Sequence, residues 1–293
     1  MARAATSFTC FFLISSLLFP ALFFSISEAD NSAAPIVNGL SWSFYKSSCP
    51  KVESIIRSQL KKVFKKDIGQ AAGLLRLHFH DCFVQSGGPD YDVPLGRRDG
   101  LTFATRNVTL QNLPPPTANA SVILASLATK NLDATDVVAL SGGHSIGISH
   151  CTSFTNRLYP TQDPVMDKTF ANNLKGVCPT ANSTNTTVLD IRSPDKFDNK
   201  YYVNLMNRQG LFTSDQDLYT DSRTKSIVTS FAINETLFFE KFALSMIKMG
   251  QLSVLTGKNG EIRANCSVRN PDNKSYLAMK VDDEVEEDRA ELR

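Results

Sequence analysis

The strongest constraint on this chain is a nine-residue stretch that is dense in reactive side chains. Residues 74–82 hold an arginine, an aspartate, a cysteine and two of the four histidines in the sequence. Apolar side chains fill most of the remaining positions, which predicts a half-buried helix. In such a helix Arg76 and His80 are four residues apart and share one face.

This pairing of a cation and a titrating group suits proton chemistry. A histidine can move a proton to and from a bound molecule, while a guanidinium stabilises negative charge as it develops. The two side chains can equally be structural, serving only to cap or pair. An alternating strand with His78 and His80 as zinc ligands is disfavoured because no CxxC or HExxH partner occurs.

A second stretch presents a histidine in a different setting. Residues 136–140 read as an apolar helix that runs into Gly142 and Gly143 and then His144. Glycines allow a bulky planar group to approach the backbone, and a lone histidine beside them suits an axial metal ligand. Taken alone, a single histidine after a helix is more often structural.

Together the two stretches resemble the secretory plant haem peroxidases, known as class III. That family has an L-R-L-H-F-H-D-C distal helix and a V-A-L-S-G-G-H-[TS]-[IF]-G proximal segment. The resemblance runs in family order over residues 36–270 and implies an all-α, haem-peroxidase-like bilobal fold. Further matching motifs are P-L-G-R-R-D from Pro94, N-L-P from Asn112, F-D-N-K-Y-Y from Phe197 and S-D-Q from Ser214.

The resemblance implies a role for individual residues around haem b. His144 would be the axial ligand of the iron, and Asp215 would accept the other imidazole proton of that ligand. On the opposite side of the haem, His80 would transfer a proton between the two oxygen atoms of hydrogen peroxide. Arg76 would stabilise the charge that develops as their bond breaks. The implied activity is the reduction of hydrogen peroxide coupled to the oxidation of phenolic donors, of lignin or suberin type.

Two further sets of residues follow from the same resemblance. Phe79 would contact the haem, and Pro114 would line the haem edge at which the donors react. A proximal calcium site is implied whose members all supply oxygen donors, as a hard cation requires. These are Ser145, Asp190, Ser193, the Lys196 carbonyl and Asp198.

The chain departs from the family pattern directly after Gln85. The family continues Gly-Cys-Asp and then several dozen residues before Gly-Gly-Pro, whereas here Ser86 and Gly-Gly-Pro follow at once. The missing block holds an asparagine that orients the distal histidine, a helix that covers the haem, and most of a distal calcium loop. Asp81 and Val84 are the remnants of that loop. We therefore expect a fold without some distal helices, a broken distal calcium site and impaired activity.

Cysteine counting supports this expectation independently. The sequence has six cysteines, and removing Cys10 with a leader leaves five, an odd number for an oxidising compartment. By family pattern Cys151 pairs with Cys178. Each native disulfide contributes about 2–5 kcal/mol, so three losses rival the whole stability of a domain, about 5–15 kcal/mol, unless Cys49 and Cys82 pair with each other. The cysteines whose family partners fall in the missing block are Cys49, Cys82 and Cys266.

Two alternatives therefore stand beside an impaired peroxidase. The chain can be a non-catalytic or unstable splice product of a peroxidase gene. It can also reflect a gene-model error, in which case the real protein contains the block and is an ordinary peroxidase. The junction at Gln85 and Ser86 joins two intact motifs, which favours a skipped exon over random erosion.

The ends of the chain predict its destination. Residues 1–29 combine a basic start, an apolar run and a small-residue cleavage site, the pattern of a signal peptide. An uncleaved anchor is the alternative, although Pro20 interrupts the run. The peroxidase domain would cover 30–279. The acidic tail at 280–293 reads either as a solvated terminus or as a vacuolar sorting extension of a protein otherwise secreted to the wall.

Composition limits the partners. A formal net charge of +2 gives no field to attract nucleic acid or an anionic membrane, and we expect a monomer. Seven N-x-[ST] sites suit a secreted glycoprotein. They are Asn107, Asn119, Asn182, Asn185, Asn234, Asn265 and Asn273.

Apolar periodicity predicts a mostly helical chain. The first predicted helix covers 49–66 and places apolar residues on one face. Others are predicted at 71–83, 121–127, 133–140, 198–209, 224–232 and 235–249, with Gly210 and Gly250 as stops. Residues 91–116 are predicted to be irregular, since prolines are frequent there.

Overall fold

The structure is a computed structural model that describes residues 35–76, 88–265 and 268–271, with only the backbone at 74–76 and 109. Helices dominate this part of the chain, which confirms the all-α class. The α-helices, numbered α1 to α10 in order, are Val52–Lys66, Gly69–Arg76, Arg106–Asn112, Ala120–Ala128, Ala134–Ser141, Lys168–Val177, Lys200–Met206, Thr213–Thr220, Lys225–Ile233 and Glu235–Met249. Two short strands, β1 (Ile148–His150) and β2 (Thr186–Val188), pair antiparallel with His150 opposite Thr186.

Short polar side chains begin several of these helices. Asp133 accepts the backbone N–H of Asp136, whose own carboxylate accepts the N–H of Asp133, so α5 starts with a reciprocal capping box. Asn119 and Asn234 cap α4 and α10 in the same manner through single bonds. The starts of these helices are therefore determined by residues three positions apart in the sequence.

The main core forms where α5, α7, α9 and α10 pack together. A partly buried ion pair joins α5 to α10: Lys248 Nζ lies 2.9 Å from Oδ2 of the buried Asp136, and Ser245 also donates to that carboxylate. The first turn of α5 is thus tied to α10 through Asp136. The aromatic centre of this core consists of Phe197, Tyr202, Phe231, Phe238 and Phe242.

A second apolar cluster surrounds the disulfide between Cys151 and Cys178, whose Cα atoms are 5.8 Å apart. The family pattern implied this pairing, and the structure contains it. Arg157 lies in the same region and is almost fully buried. Cys49 is a free thiol in the structure, while Cys82 and Cys266 lie outside the described residues.

Helix α1 forms as predicted, but its apolar face is largely uncovered. Ile55 and Ile56 are each 52% exposed, and Val63 is 40% exposed. Only Phe64, near the end of the helix, is buried. A 3.6-residue apolar period normally marks a face that packs against a core. Here, among the described residues, Leu60 and Phe64 of α1 pack against the main core, while Ile55, Ile56 and Val63 remain exposed.

Two other local predictions were wrong. Residues 91–116 are not irregular throughout, because Thr105 caps the short helix α3 by accepting the Val108 N–H. The predicted helix at 198–209 is shorter at both ends, and its stop is Arg208, with φ of 61°, rather than Gly210. Gly210 is needed for space instead: a Cβ there would lie 2.8 Å from Leu205 Cδ2.

No helix in the described part of the chain is both long and apolar enough to cross a membrane.

Candidate active site

The site is built around His144, which lies in the 3₁₀ turn Gly142–Ser145 directly after α5. Its Nδ1 lies 2.7 Å from Oδ1 of Asp215, a residue 71 positions away in the sequence. The histidine side chain is 39% exposed, whereas that of Asp215 is 3% exposed. No described residue hydrogen-bonds the other ring nitrogen, Nε2. The ring is therefore held on one side and open to a ligand on the other.

Asp215 is held in place by two further donors. It lies in the first turn of α8, where its Oδ2 accepts the backbone N–H of Phe212 at 2.9 Å. Its Oδ1 accepts the hydroxyl of Tyr201 at 2.9 Å in addition to His144. The carboxylate is fully buried and fully hydrogen-bonded, so its direction is fixed before any ligand arrives.

The charge and hydrogen bond of Asp215 make the His144 imidazole more basic. Burial lowers the pKa of His144, but the charge of Asp215 and its hydrogen bond outweigh this, and the pKa of His144 is raised. Because the ring is open on one side, its burial cost is smaller than that of an enclosed ring. A carboxylate that accepts one imidazole proton increases electron donation from the other nitrogen. His144 is therefore suited to hold a metal centre such as haem iron.

Aromatic rings fix the plane of the histidine. Phe212 and Tyr201 meet the His144 ring edge-on, at centroid distances of 5.3 and 6.1 Å. Gly142, expected to make room for a planar group, has a different function. A Cβ at Gly142 would collide with the Tyr202 hydroxyl and with Phe238, so its missing side chain makes room for the protein core.

A cluster of oxygen atoms lies immediately after His144. The Ser145 hydroxyl is fully buried and bonds to the Asp198 carbonyl at 2.9 Å and to the Lys196 carbonyl at 3.2 Å. The Ser193 hydroxyl donates to Asp198 Oδ1 at 2.9 Å. The structure thus brings these predicted calcium residues together.

The fifth predicted member of the cluster, Asp190, carries the clearest sign of a missing partner. Its Oδ1 accepts the side-chain amide of Asn204 at 2.7 Å and the N–H of Ser193 at 3.3 Å, but its Oδ2 is buried without a partner among the described residues. Burial raises the pKa of Asp190. An unpaired buried carboxylate oxygen is costly, and a cation would remove that cost. The donor set, two carboxylates with hydroxyl and carbonyl oxygens, fits calcium.

Comparison with known proteins identifies the family. The peroxidase family model matches residues 84–234. Peroxidase 12 of Arabidopsis thaliana is 51% identical to this chain, over 95% of the chain and 96% of that protein. Cationic peroxidase SPC4 of Sorghum bicolor is 45% identical, over 87% and 89% respectively. The chain belongs to the plant peroxidase family.

Membership gives the chain its general activity: a haem-dependent oxidoreductase that uses hydrogen peroxide. Haem and calcium are the cofactors that the family implies, and secretion is the expected route. A third relative, Peroxidase 5 of Vitis vinifera, is 37% identical over 78% of this chain and 90% of that protein.

The peroxide-side residues predicted from the sequence are not placed by the structure. Arg76 is the last residue of α2, and only its backbone is described. The others lie outside the described residues: Phe79, His80, Asp81 and Val84.

The predicted donor edge is described and is tied to the histidine side of the site. Pro114 is partly buried just after α3. Two residues later, the Pro116 carbonyl accepts the backbone N–H of Ser214 at 3.0 Å, one residue before Asp215. A backbone hydrogen bond therefore joins the proline segment to the helix that carries the aspartate.

Sequence reasoning missed two residues of this site. Tyr201 was part of a quoted motif, yet nothing in that motif indicated that its hydroxyl reaches Asp215. Arg157 was not singled out, although its Nη1 bonds to the carbonyls of residues 210–212, just before α8. Its mixed sequence surroundings, Phe-Thr-Asn-Arg-Leu-Tyr, gave no signal of this role.

Proposed function

We propose that this chain is a haem peroxidase in which His144 holds the iron while His80 and Arg76 act on hydrogen peroxide from the opposite side. The observation that carries the proposal is the His144–Asp215 pair: a fixed imidazole with one nitrogen bound to a buried carboxylate and the other free. Bound haem supplies the redox chemistry that this chain's side chains cannot perform alone.

The protein's own residues then control protons and charge. Asp215 keeps the Nδ1 proton of His144 in place, which leaves Nε2 as the electron-donating nitrogen. His80 is assigned the proton transfer between the two peroxide oxygens, and Arg76 the stabilisation of the charge that develops on them. Small phenolic donors would react near Pro114. These roles agree with the motif in which each residue stands.

Calcium would bind beside the histidine through Ser145, Asp190, Ser193, Asp198 and the Lys196 carbonyl. The partnerless Oδ2 of Asp190 supports this assignment. Because Ser145 follows His144 directly, a cation there would stiffen the turn that carries the histidine. The distal site, reduced to Asp81 and Val84, is proposed to be broken.

We also propose that the chain lacks a block after Gln85 and turns over more slowly for that reason. The comparison with Peroxidase 12 extends over 346 aligned positions, whereas this chain has 293 residues. The uncovered apolar face of α1 and the free thiol of Cys49 are what the loss of packing and disulfide partners would leave. Without an orienting asparagine, His80 would be a poorer base.

The remaining assignments follow the family. We propose that residues 1–29 are a signal peptide, that residues 30–279 form the peroxidase domain, and that the protein is a secreted monomeric glycoprotein. The acidic tail at 280–293 would either remain solvated or direct the protein to the vacuole.

Absorption spectroscopy of purified protein supplied with haem and calcium tests the iron ligand. We expect a Soret band for the unaltered chain and its loss or shift in His144→Ala. His150→Ala is the matched control, because His150 is exposed on β1 and six residues away in sequence. A variant at position 144 that binds haem with an unchanged spectrum would contradict the assignment.

Peroxide addition tests the other side of the site. We expect a slow spectral change in the unaltered chain and a further slowing of at least about a hundredfold in His80→Ala, the usual contribution of a positioned acid–base group. If the unaltered chain binds no haem, the non-catalytic splice product becomes the better description. Restoring the family's missing block should then recover binding.

A further inference from the structure

The buried carboxylate of Asp215 has two donors on the same oxygen. Its Oδ1 lies 2.7 Å from His144 Nδ1 and 2.9 Å from the hydroxyl of Tyr201. Oδ2 is occupied separately by the Phe212 backbone N–H. The histidine therefore shares its acceptor atom with a tyrosine, and the two hydrogen bonds compete for the same electron density.

Tyr201 is held so that it can only act as a donor. The residue is 2% exposed, and burial together with the nearby Asp215 charge keeps its hydroxyl protonated. A neutral hydroxyl that donates to a carboxylate withdraws charge from the accepting oxygen. The pull of Asp215 on the His144 proton is weakened accordingly.

We propose that Tyr201 is a positioning residue that sets how strongly Asp215 holds the His144 proton and hence how strongly Nε2 donates to a bound metal. This inference rests on the proposed role of His144 as the iron ligand. Tyr201 would act only through Asp215 and His144, and it has no assigned contact with the peroxide or the donor.

The competing explanation is that Tyr201 merely fills the core, and the chain contains a matched control for it. Tyr202 is the next residue, is fully buried, and also donates its hydroxyl, but to the backbone carbonyl of Val138 at 2.9 Å. The two rings meet edge-on at 5.0 Å. Replacing either tyrosine with phenylalanine removes one buried hydroxyl from the same core, but only Tyr201→Phe changes the acceptor of His144.

The first test uses the haem-free full chain with ¹⁵N-labelled histidine. The Nδ1–H proton of His144 is followed by NMR at one fixed pH. We expect Tyr201→Phe to move this proton downfield, because its hydrogen bond to Asp215 strengthens when the competing donor is lost. Tyr202→Phe should leave it in place. Equal shifts in both variants, or no shift in Tyr201→Phe, would overturn the proposal.

The second test uses the haem-loaded chain and measures the ferric–ferrous potential by spectroelectrochemistry. A stronger pull on the proton makes His144 a stronger donor, which favours ferric iron. We expect a more negative potential in Tyr201→Phe and an unchanged one in Tyr202→Phe. If the unaltered chain binds no haem, the proposed function fails, whereas the NMR comparison still decides the tyrosine proposal.

Discussion

Replacing Arg157 with methionine measures how strongly one buried cation holds the segment in front of α8. Arg157 is 2% exposed, and its Nε donates to Asp163 Oδ2 at 2.8 Å. Its Nη1 reaches the three successive carbonyl oxygens of residues 210–212 at 2.5, 3.0 and 3.1 Å. That segment ends at the residue whose N–H holds the active-site carboxylate.

The expected cost follows from what each partner does after the substitution. Methionine fills much of the same space but donates no hydrogen bond. Asp163 is 24% exposed and can turn towards water, so it adds little to the cost. The three carbonyls belong to a segment that is buried, and they lose a charged donor. Removing one partner of a buried ionic network costs about 3–5 kcal/mol, a large part of the roughly 5–15 kcal/mol that stabilises a domain.

Urea unfolding of the haem-free protein measures this cost. We expect a lower midpoint with an unchanged slope, since the surface exposed on unfolding stays the same. Arg223→Met is the control, because Arg223 also pairs with an aspartate, Asp221, but is 52% exposed and screened by water. Its midpoint should not move. If Arg157→Met moved the midpoint no further than the control, the buried carbonyl cluster would not be what holds this segment.

Three further predictions use the same unfolding assay. Gly142→Ala should destabilise the protein by about 1–3 kcal/mol, because the added Cβ would enter the aromatic core. Gly176→Ala in α6 is the control: nothing lies within 4 Å of the added Cβ, and the substitution should stabilise the protein by up to about 1 kcal/mol. Replacing both Cys151 and Cys178 with alanine should lower the free energy of unfolding by about 3–4 kcal/mol, because the bridge spans 27 positions. An unchanged midpoint would mean that the bridge does not form. At a concentration a hundred times its dissociation constant at pH 7, calcium should raise the free energy of unfolding by about 2.7 kcal/mol, and the urea midpoint should rise with it. Burial raises the pKa of Asp190, so the cost of its buried charge grows as the pH rises through that pKa. At one calcium concentration, the increase in unfolding free energy should therefore be larger at pH 7 than at pH 4. An equal increase at both pH values, or an Asp190→Asn variant that responds equally, would contradict the site.

Much of the local structure was predictable because its causes lie close together in the sequence. Asp133 and Asn234 begin their helices through bonds to residues three positions ahead. Helix α10 was predicted at 235–249 and occupies those residues. Capping and apolar period act within one or two helical turns, so one stretch of sequence contains the whole signal.

The errors arose where a residue's surroundings come from elsewhere in the chain. Ile55 and Ile56 have the spacing of a packed face, but a spacing does not say whether a partner exists. Gly142 was interpreted as space for a ligand, although Tyr202 and Phe238 fill that space. Gly210 was interpreted as a helix stop, although it is required by the approach of Leu205.

The sequence by itself determined the helical class, the order of the family motifs, the odd number of cysteines that would remain without the leader, and which histidine to propose as the iron ligand. Only the tertiary structure decided which groups act on that histidine: Asp215 from 71 positions away, and Tyr201 rather than its neighbour Tyr202. It also revealed the partnerless oxygen of Asp190. The reason is that helix-forming bonds join residues a few positions apart, whereas hydrogen bonds within the site join segments that meet only after the core has packed.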